Sequence, residues 1–351
     1  MVHDVVIVGG GIAGLSLARA LTARGRAPVV LERANGVGGR CATRRVDGQP
    51  VDHGLAFLHG RSPAFLAAMA AARDAGAISR WPRHRDGEGV PCQPQAFDPL
   101  DTRVALAGGV NVFAKHLAEG LDVRLGARVE TLALGPASLD ASERVWTVTL
   151  ATGDRLRTKA LALALPAPST LALLDTISPV ESAIAPLLPL LRLIHVVPCL
   201  AVIARYPEGT PPPAWEASYT AESTAVHAVL HDSSKRPGTP RLTLVIQGRP
   251  GFSQRHVDTP EAEWAQALLD EAAALHGDWV RTPDLLQPHR WRYARVVIGT
   301  ELAGPLVAHC EGGAALGLAG DGLHATGGVE GAYLSGVALA ARLTGSEPPR
   351  A

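Results

Sequence analysis

The sequence predicts an α/β fold in which a parallel sheet flanked by helices is joined to a lobe with a mixed sheet. Two observations lead to this prediction. The chain begins with an apolar, β-branched run at Val5–Val8, which a glycine-rich turn and a helical pattern follow. Near the other end, Ala315–Leu318 is a second short apolar run before glycines and a helical pattern. A chain of 351 residues that is 47% apolar can bury a large core.

The turn after the first strand has the spacing G-x-G-x-x-G, with glycines at Gly9, Gly11 and Gly14. The first glycine makes a tight turn, the second lets the backbone approach a pyrophosphate, and the third lets the helix pack on the strand. The predicted helix starts at Ile12. Its first backbone N–H groups, those of Ile12 and Ala13, would point toward the phosphates. The pattern therefore predicts a Rossmann-type dinucleotide-binding site.

The residues that follow indicate which dinucleotide binds. The next strand ends at Glu32, whose carboxylate can accept hydrogen bonds from ribose hydroxyls. Arg33 follows, and then the run Gly38-Gly39-Arg40. A nicotinamide dehydrogenase has no need of a second glycine pair, whereas FAD continues past the pyrophosphate and requires close backbone approach. Arg40 adds a cation near the phosphates. These residues favour FAD, with a nicotinamide dehydrogenase as the alternative.

The C-terminal motif predicts the flavin end of the same site. Asp321 comes directly after the strand and can bind a hydroxyl of the ribityl chain. A helix that begins at Gly328 would place its positive dipole end where it stabilises negative charge on a reduced flavin. The predicted flavin contacts in this motif are Gly320, Asp321, Gly328, Val329 and Ala332.

The two motifs together resemble the flavin-containing amine oxidase superfamily. VDHGLAFLHGR (51–61), SSKRPG (233–238), FSQRHVD (252–258) and HRWRYAR (289–295) resemble its short bacterial renalase-like branch. The resemblance implies non-covalent FAD in a Rossmann-type, glutathione-reductase-like domain, a small-molecule substrate, and oxygen as electron acceptor. It also implies that His53, Gly54 and Leu55 pass below the flavin ring and that Val129 holds the adenine through its backbone.

We expect the FAD-binding domain to be discontinuous in sequence, with 1–75, 100–168 and 296–346 forming it and 76–99 and 169–295 forming a mixed-sheet substrate-binding lobe. The predicted helices are 12–24, 63–74, 110–119 and 260–275. The predicted strands are 5–8, 29–31, 122–134, 144–150, 155–165, 194–205, 225–231, 241–247 and 315–318. We interpret 207–213 and 232–240 as surface turns of the lobe, since both are rich in proline and glycine.

Four side chains are candidates for the chemistry. His289, Trp291 and Tyr293 alternate in sequence, so an extended segment would present them on one face as a flat-ring pocket beside the flavin. His227 is the fourth candidate, and we expect it to share a strand face with His231. The alternative for all of them is a structural role in a half-buried strand.

The resemblance also raises the question of a catalytic lysine. In amine oxidases a lysine often holds a water near flavin N5. This chain has only three lysines, which are Lys115, Lys159 and Lys235, and none lies in a pattern that suggests this role.

Composition excludes several other classes of protein. The net charge is zero, which argues against nucleic acid or a membrane surface as the main partner. The four cysteines, Cys41, Cys92, Cys199 and Cys310, show no C-x-x-C spacing, so we expect neither a metal site nor a disulfide framework. We see no signal peptide, and prolines interrupt the apolar stretch 182–204. These features predict a cytoplasmic protein.

Three functional interpretations remain from the sequence. The first is a renalase-like oxidase, in which a dihydronicotinamide-like or similarly electron-rich molecule gives a hydride to flavin N5 and oxygen is reduced to peroxide. The second is an FAD-dependent amine oxidase or desaturase of another small metabolite. The third is a flavin-binding partner protein without turnover.

Overall fold

The structure is a computed structural model that describes residues 1–72, 77–91, 93–138 and 142–345. Within these residues it contains 19 strands and eight α-helices. The strands are β1 (Val2–Val8), β2 (Pro28–Leu31), β3 (Thr43–Val46), β4 (Gln49–Asp52), β5 (Leu58–Gly60), β6 (Ile78–Ser79), β7 (Arg85–Asp86), β8 (Thr102–Ala105), β9 (Asp122–Arg124), β10 (Val129–Pro136), β11 (Arg144–Leu150), β12 (Arg155–Leu163), β13 (Val196–Arg205), β14 (Ala217–Tyr219), β15 (Val226–His231), β16 (Thr243–Gly248), β17 (Leu285–Val296), β18 (Leu306–His309) and β19 (Ala315–Leu318). The helices are α1 (Ile12–Thr22), α2 (Pro63–Ala71), α3 (Asn111–Ala118), α4 (Ala167–Leu174), α5 (Leu187–Leu193), α6 (Pro250–His256), α7 (Glu261–His276) and α8 (Gly328–Thr344).

An eight-stranded sheet carries the glycine-rich turn. Its main order is β10-β11-β12-β1-β2-β9, and β19 pairs with β12 and with β18. Strands β1, β2, β9, β12 and β19 are parallel to one another, and α1, α3 and α8 contribute to a buried apolar core against them. The carboxyl ends of such parallel strands form one edge, where α/β folds bind ligands. Gly9, Glu32 and Gly320 follow three of these strands, so the fold brings both glycine motifs to one edge.

A six-stranded sheet in the order β17-β13-β16-β15-β14-β7 forms the second half. Helix α7 covers one face through Trp264 and Leu268, which pack in a core with Leu244. The opposite face packs against Phe57 and Trp81, which belong to segments outside this sheet. The sheet is therefore sandwiched between its own helix and residues from the early part of the chain. The predicted fold class, an α/β Rossmann-type domain with a mixed-sheet lobe, is confirmed.

All predicted helices and strands but one are observed, with the predicted ends for 144–150 and 315–318 and with shifted ends for the others. We predicted a single strand over 122–134, but the structure has two, β9 and β10, that pair with β2 and β11 respectively. Residues 125–128 separate them, and Gly126 has a positive φ of 67° that no continuous strand allows. The prediction was wrong because the apolar pattern continues through this turn.

Two further interpretations were wrong in the lobe. The segment 232–240 is not a surface turn as a whole, because Asp232 and Lys235 are 1% and 0% exposed. His227 and His231 do not share a face. A bulge in β15 opposite Gln247 interrupts the alternation at His227. The His227 ring contacts Tyr219, which packs in one core with Leu230, so alternation directs His231 to the opposite side of the sheet.

Some predictions lie outside the described residues. These are the last residues of the helix predicted over 63–74, the domain ends at 75–76 and 346, and Cys92. The division into two domains stays a prediction. Within the described ranges no helix is both long and apolar enough to cross a membrane. The cytoplasmic location also stays a prediction.

Candidate functional site

The glycine-rich turn is tightly packed on one side and open on the other. A Cβ atom at Gly14 would clash with the carbonyl oxygen of Gly9, so only glycine fits where α1 leaves β1. A Cβ atom at Gly11, by contrast, would have no atom within 4 Å. The open space lies at the N-terminus of α1, where the backbone N–H groups of Ile12 and Ala13 have no intrahelical partner. The turn therefore offers the space and polarity that a pyrophosphate needs.

Glu32 connects the end of β2 to this turn. The side chain is buried, with Oε2 accepting a hydrogen bond from Gly10 N (2.7 Å) and Oε1 accepting one from Ala34 N (2.8 Å). Each carboxylate oxygen has a second lone pair, so ribose hydroxyls can still donate to it. Arg33 is exposed beside it, and Ala127 N donates to the carbonyl oxygen of Glu32 at 2.8 Å, which brings the segment before Val129 close. The adenosine contacts of these residues stay predictions.

Arg40 and Asp321 come from opposite ends of the chain and bind each other. Arg40 Nη1 lies 2.7 Å from Asp321 Oδ2, and Nη2 lies 2.8 Å from Oδ1. Burial alone would lower the pKa of Arg40, but the Asp321 carboxylate outweighs it and raises the pKa. The pair borders a narrow cleft that Leu165 and Gly320 also line. The sequence predicted separate contacts for these two side chains with the cofactor and missed their mutual ion pair.

The N-terminus of α8 is fixed by a buried carboxylate. Glu330 is 3% exposed, and its Oε1 accepts hydrogen bonds from Ser62 N (2.6 Å) and Arg61 N (3.1 Å). Val329 and Ala332 are buried in the same turn. These bonds join the first turn of α8 to the segment after β5, and the approach of its N–H groups to the flavin stays a prediction.

Three rings from two distant segments form what we call the ring cluster. It consists of His53, His289 and Trp291, with ring centroids 4.4 Å (His53–His289), 4.3 Å (His289–Trp291) and 5.2 Å (His53–Trp291) apart. Trp291 Nε1 donates to the carbonyl oxygen of His53 at 3.1 Å. Leu55 N donates to the carbonyl oxygen of Arg40 at 3.0 Å. The ring cluster therefore ties the loop 53–55 to β17, and the Leu55 bond ties the same loop to the Gly38-Gly39-Arg40 turn.

Gly54 lies between these two contacts. A Cβ atom there would clash with the carbonyl oxygen of Arg40 and would lie 3.0 Å from the Trp291 ring. Only glycine allows the loop to pass this closely between the turn and the ring cluster. The contacts of Gly39, His53, Gly54 and Leu55 with the flavin stay predictions.

Both histidines of the ring cluster are neutral at pH 7. Burial, the neighbouring His289 and Arg44 lower the pKa of His53 to about 3. Burial and Arg44 lower the pKa of His289 to about 4. The Nδ1 atom of His53 is buried and has no hydrogen-bond partner among the described residues. These imidazoles can accept or donate hydrogen bonds, but they are weak bases.

Tyr293 lies outside the ring cluster. On the neighbouring strand β13, Cys199 pairs with Trp291 and Val197 pairs with Arg295. More residues of β17 than of β13 lie between these two pairs, so β17 carries a bulge, which contains Tyr293. The tyrosine is 40% exposed, and its ring makes none of the aromatic contacts found in the described part of the chain. The structure thus brings together two of the three residues that alternation predicted to share a face.

His227 lies on the lobe sheet, where Gln247 and Arg295 connect the sheet to the loop. Gln247 Nε2 donates to the carbonyl oxygen of Gly54 (2.9 Å), and its Oε1 accepts a hydrogen bond from Arg295 Nη2 (2.9 Å). Burial, then Arg295 and Arg249, lower the pKa of His227 to about 3. Its Nε2 is buried without a partner in the described ranges. The sequence offered no signal for Gln247.

Four charged side chains form what we call the charge cluster, which is directly next to the loop 53–55. Lys235 Nζ lies 2.9 Å from Asp52 Oδ2 and 2.7 Å from Asp232 Oδ1. Arg236 lies 2.6 Å from Asp232 Oδ2 and 3.5 Å from Asp52 Oδ2. Asp52 and Lys235 are both 0% exposed. Burial alone would raise the pKa of Asp232, but the two cations outweigh it and hold the pKa below its ordinary value.

The charge cluster joins β4 to the segment after β15. Asp52 Oδ1 also accepts hydrogen bonds from Thr43 Oγ1 (2.6 Å) and Val110 N (2.9 Å), so it connects four segments. The sequence contains one half of the signal, since Asp232, Lys235 and Arg236 have the i, i+3, i+4 spacing that allows ion pairs. The other half, Asp52, is 180 residues away from Asp232 and could not be assigned from the sequence.

The three lysines of the chain therefore have known environments. Lys235 is held in the charge cluster and also lies 4.6 Å from the centre of the Trp81 ring. Lys159 pairs with Glu143 on the surface at 3.3 Å, and Lys115 is exposed on α3. The expectation that none of them holds a water near flavin N5 stays a prediction.

Comparisons with known proteins give the family. The family described as "NAD(P)-binding Rossmann-like domain" matches residues 7–72, and "Flavin containing amine oxidoreductase" matches residues 72–344. The chain is 33% identical to putrescine oxidase of Kocuria rosea over 130 residues, which are 36% of this chain and 26% of that protein. It is 40% identical to nicotine dehydrogenase of Pseudomonas putida over 67 residues, which are 19% of this chain and 14% of that protein. The matches to curated relatives thus span about a quarter of their length or less.

Solved structures match over nearly the whole chain. Putrescine oxidase bound to putrescine matches with a TM-score of 0.71 and 17% identity, over 98% of this chain and 99% of that one. Cyclohexylamine oxidase from Brevibacterium oxydans matches with a TM-score of 0.72 and 14% identity, over the same shares of the two chains. At these identities the likeness shows the fold. Since the second family match covers more than half of the sequence, the chain belongs to the flavin-containing amine oxidoreductases, a family of FAD-dependent oxidoreductases, and its cofactor is FAD.

Proposed function

We propose that this chain is an FAD-dependent oxidase whose substrate is an electron-rich, uncharged or anionic small molecule of the dihydronicotinamide type. FAD, when bound, supplies the redox chemistry by accepting a hydride at N5 and passing the electrons to oxygen, which gives peroxide. The observation that supports this substrate class is the state of the ionisable groups around the loop 53–55. They provide neither a strong base nor a free carboxylate.

The histidines near the loop are poor general bases. The pKa values of His53, His289 and His227 are lowered to about 3, 4 and 3. A general base is most effective when its pKa lies near the working pH, which is far above these values. Lys235 is held by two carboxylates. A dihydropyridine carries an electron-rich enamine and needs no base to release a hydride, so it matches what these residues offer.

The carboxylates near the loop are already neutralised. Asp52 and Asp232 bind Lys235 and Arg236, and Asp321 binds Arg40. A substrate ammonium group would have to compete with these buried ion pairs for a counter-ion, which is costly. This distribution of charge favours an uncharged or anionic substrate over a diamine cation.

The ring cluster would orient such a substrate. The Trp291 ring lies beside Gly54, and stacking on it can hold a planar ring and exclude water. The neutral His227 has an unpartnered Nε2 that can make a hydrogen bond to a polar substituent. These side chains bind and orient the substrate, and they move no proton in the proposed reaction.

Anaerobic stopped-flow absorbance at the flavin band tests the proposal. We expect isomeric dihydronicotinamides to bleach the flavin fast and simple monoamines to do so slowly. Trp291→Ala should slow this reduction by about 10- to 100-fold, because a small misplacement of the donor carbon is costly, while FAD content stays near the wild-type value. Trp279→Ala is the matched control, since Trp279 packs on Tyr206 in the core under α7.

A second candidate function is favoured by one comparison. The stretch that is 33% identical to putrescine oxidase supports oxidation of a simple amine. Fast bleaching by monoamines or putrescine, without response to any dihydropyridine, would replace our proposal by this one. Heating should release the yellow chromophore in either case, since we expect the FAD to be non-covalent.

A further inference from the structure

One arginine beside the ring cluster has no carboxylate partner. Arg44 lies on β3, and its Nη1 donates to Gln287 Oε1 (3.4 Å) while its Nη2 lies 3.3 Å from His289 Nδ1. Both acceptors are neutral groups on β17. No ion pair of Arg44 is found among the described residues. Its positive charge is therefore uncompensated in a half-buried place.

The surroundings of Arg44 show that its charge acts on the site. Arg44 contributes to the lowered pKa values of both His53 and His289. The carboxylate closest in sequence, Asp47, binds Arg205. The next one, Asp52, is engaged by Lys235, Arg236, Thr43 and Val110, so neither is available to Arg44. A guanidinium with unused donors in such a place is a ready site for an anion.

We propose that Arg44 binds an anionic group, a phosphate or a carboxylate, that the substrate carries beyond its flat ring. The inference rests on the proposed function, since it assigns the tail of the substrate whose ring lies at Trp291. A guanidinium has five N–H donors, and Arg44 uses two of them, so three stay free for a second, bidentate partner. The contacts with Gln287 and His289 fix the plane of the guanidinium and orient the remaining donors.

The neighbouring residue provides an internal comparison. Arg45 follows Arg44 on β3, so alternation places its side chain on the opposite face of the hairpin, where it is exposed. Within the described part of the chain, Arg45 Nη1 contacts the carbonyl oxygen of Gly48 at 3.5 Å and forms no ion pair. The two substitutions Arg44→Gln and Arg45→Gln change the net charge equally and differ in the face they affect.

The test uses the FAD-loaded protein and three small aromatic probes, so that it does not depend on turnover. Phenyl phosphate and benzoate carry the two candidate anions, and benzamide is their uncharged counterpart. Dissociation constants are measured by equilibrium dialysis, with the shift of the flavin spectrum as a second readout. We expect at least one anion to bind about tenfold or more tightly than benzamide, because charge-assisted hydrogen bonds replace neutral ones. The tighter of the two anions identifies the group.

The variants decide whether Arg44 is responsible. Arg44→Gln should abolish the preference for the anion and leave the affinity for benzamide within about twofold, whereas Arg45→Gln should keep the preference. Arg44→Lys keeps the charge without the fork of donors and should retain part of the preference. Equal affinities for anions and benzamide in the wild type, or an intact preference in Arg44→Gln, would overturn the inference.

A separate outcome would identify a failure of the proposed function. If no dihydropyridine reduces the flavin while the anion preference of the wild type is lost in Arg44→Gln, then Arg44 binds anions but the substrate class is wrong. If Arg44→Gln does not retain FAD, its flavin spectrum cannot be used, and titration of its histidine signals by NMR replaces it. In that case the pKa of His289 should rise in Arg44→Gln, since Arg44 is one of the causes that lower it.

Discussion

The glycine-rich turn and the charge cluster differ in whether their polar groups face outward or are buried in ion pairs. In the turn, the backbone N–H groups at the start of α1 and the open space at Gly11 face outward, toward a ligand. In the charge cluster, Asp52 and Lys235 are completely buried and bind only protein groups. The turn is formed by one continuous stretch of sequence, and the charge cluster by segments far apart. The comparison shows that the turn predicted to bind the cofactor is encoded locally, while the loop 53–55 is positioned by long-range contacts.

The two regions should also differ in what a substitution damages. A change in the turn removes contacts to a ligand, so it should lower cofactor affinity with little effect on the polypeptide. A change in the charge cluster leaves a buried charge without its partner, so it should unfold or loosen the protein. Two experiments test this difference directly, and a third tests a buried neutral histidine of the lobe.

The largest effect is expected for Lys235→Met. The substitution leaves Asp52 and Asp232 with Arg236 as the remaining cation, and breaking a buried pair in this way costs about 3–5 kcal/mol. Urea unfolding monitored by circular dichroism measures the loss in the free energy of unfolding. Lys159→Met is the matched control, with a cost of about 1 kcal/mol or less, since its ion pair with Glu143 is exposed. Equal costs in the two variants would contradict a structural role of the charge cluster.

An intermediate effect is expected for Glu32→Ala, and it should fall on the cofactor. The change removes a carboxylate that holds Gly10 and Ala34 and that we expect to accept ribose hydroxyls. The loss of a charge-assisted hydrogen bond costs about 1.5–3 kcal/mol. FAD affinity should therefore fall roughly ten- to hundredfold. Fluorescence of released FAD during dialysis measures this, with Glu32→Gln as the variant that keeps one acceptor oxygen.

Wild-type retention of FAD in Glu32→Ala, at equal stability of the polypeptide, would count against the ribose contact. If Glu32→Ala instead unfolds the apoprotein without a specific loss of FAD, then Glu32 stabilises the polypeptide, as the charge cluster does. Either outcome would remove the distinction between the two regions.

The third effect, which builds up gradually with pH, is expected from the titration of His227. In the folded protein its pKa is lowered to about 3, whereas an unfolded histidine has its ordinary pKa near 6.5. Between these values the unfolded chain binds a proton that the folded one does not, so stability falls as the pH decreases from about 6.5. The slope for one such proton is about 1.4 kcal/mol per pH unit. His227→Gln should flatten the pH dependence of the urea midpoint between pH 6 and 4, and an unchanged slope would contradict the buried neutral state.

The sequence was sufficient to predict the turn because every part of it lies between Val5 and Arg40. The spacing of glycines indicates close backbone approach, and an acid after a strand predicts a ribose contact, so residue types alone carry the signal. The same reasoning placed His289 and Trp291 together, since alternation is a local property of a strand. Alternation did not predict that Tyr293 lies outside the ring cluster, because the bulge in β17 is visible only from its pairing with β13.

The amino-acid sequence thus sufficed to predict the fold class and the cofactor, and which residues approach that cofactor through their backbone stays a prediction. Packing of distant segments produced the ion pair of Arg40 with Asp321 and the burial of Lys235, and it left Arg44 without a carboxylate partner among the described residues. The physical reason is that a hydrogen-bond or ion-pair partner is a matter of distance, and Asp52 and Lys235 become neighbours only when two sheets pack together. A lysine in a turn rich in proline looks solvent-exposed in the sequence, and only packing shows that water is excluded from it.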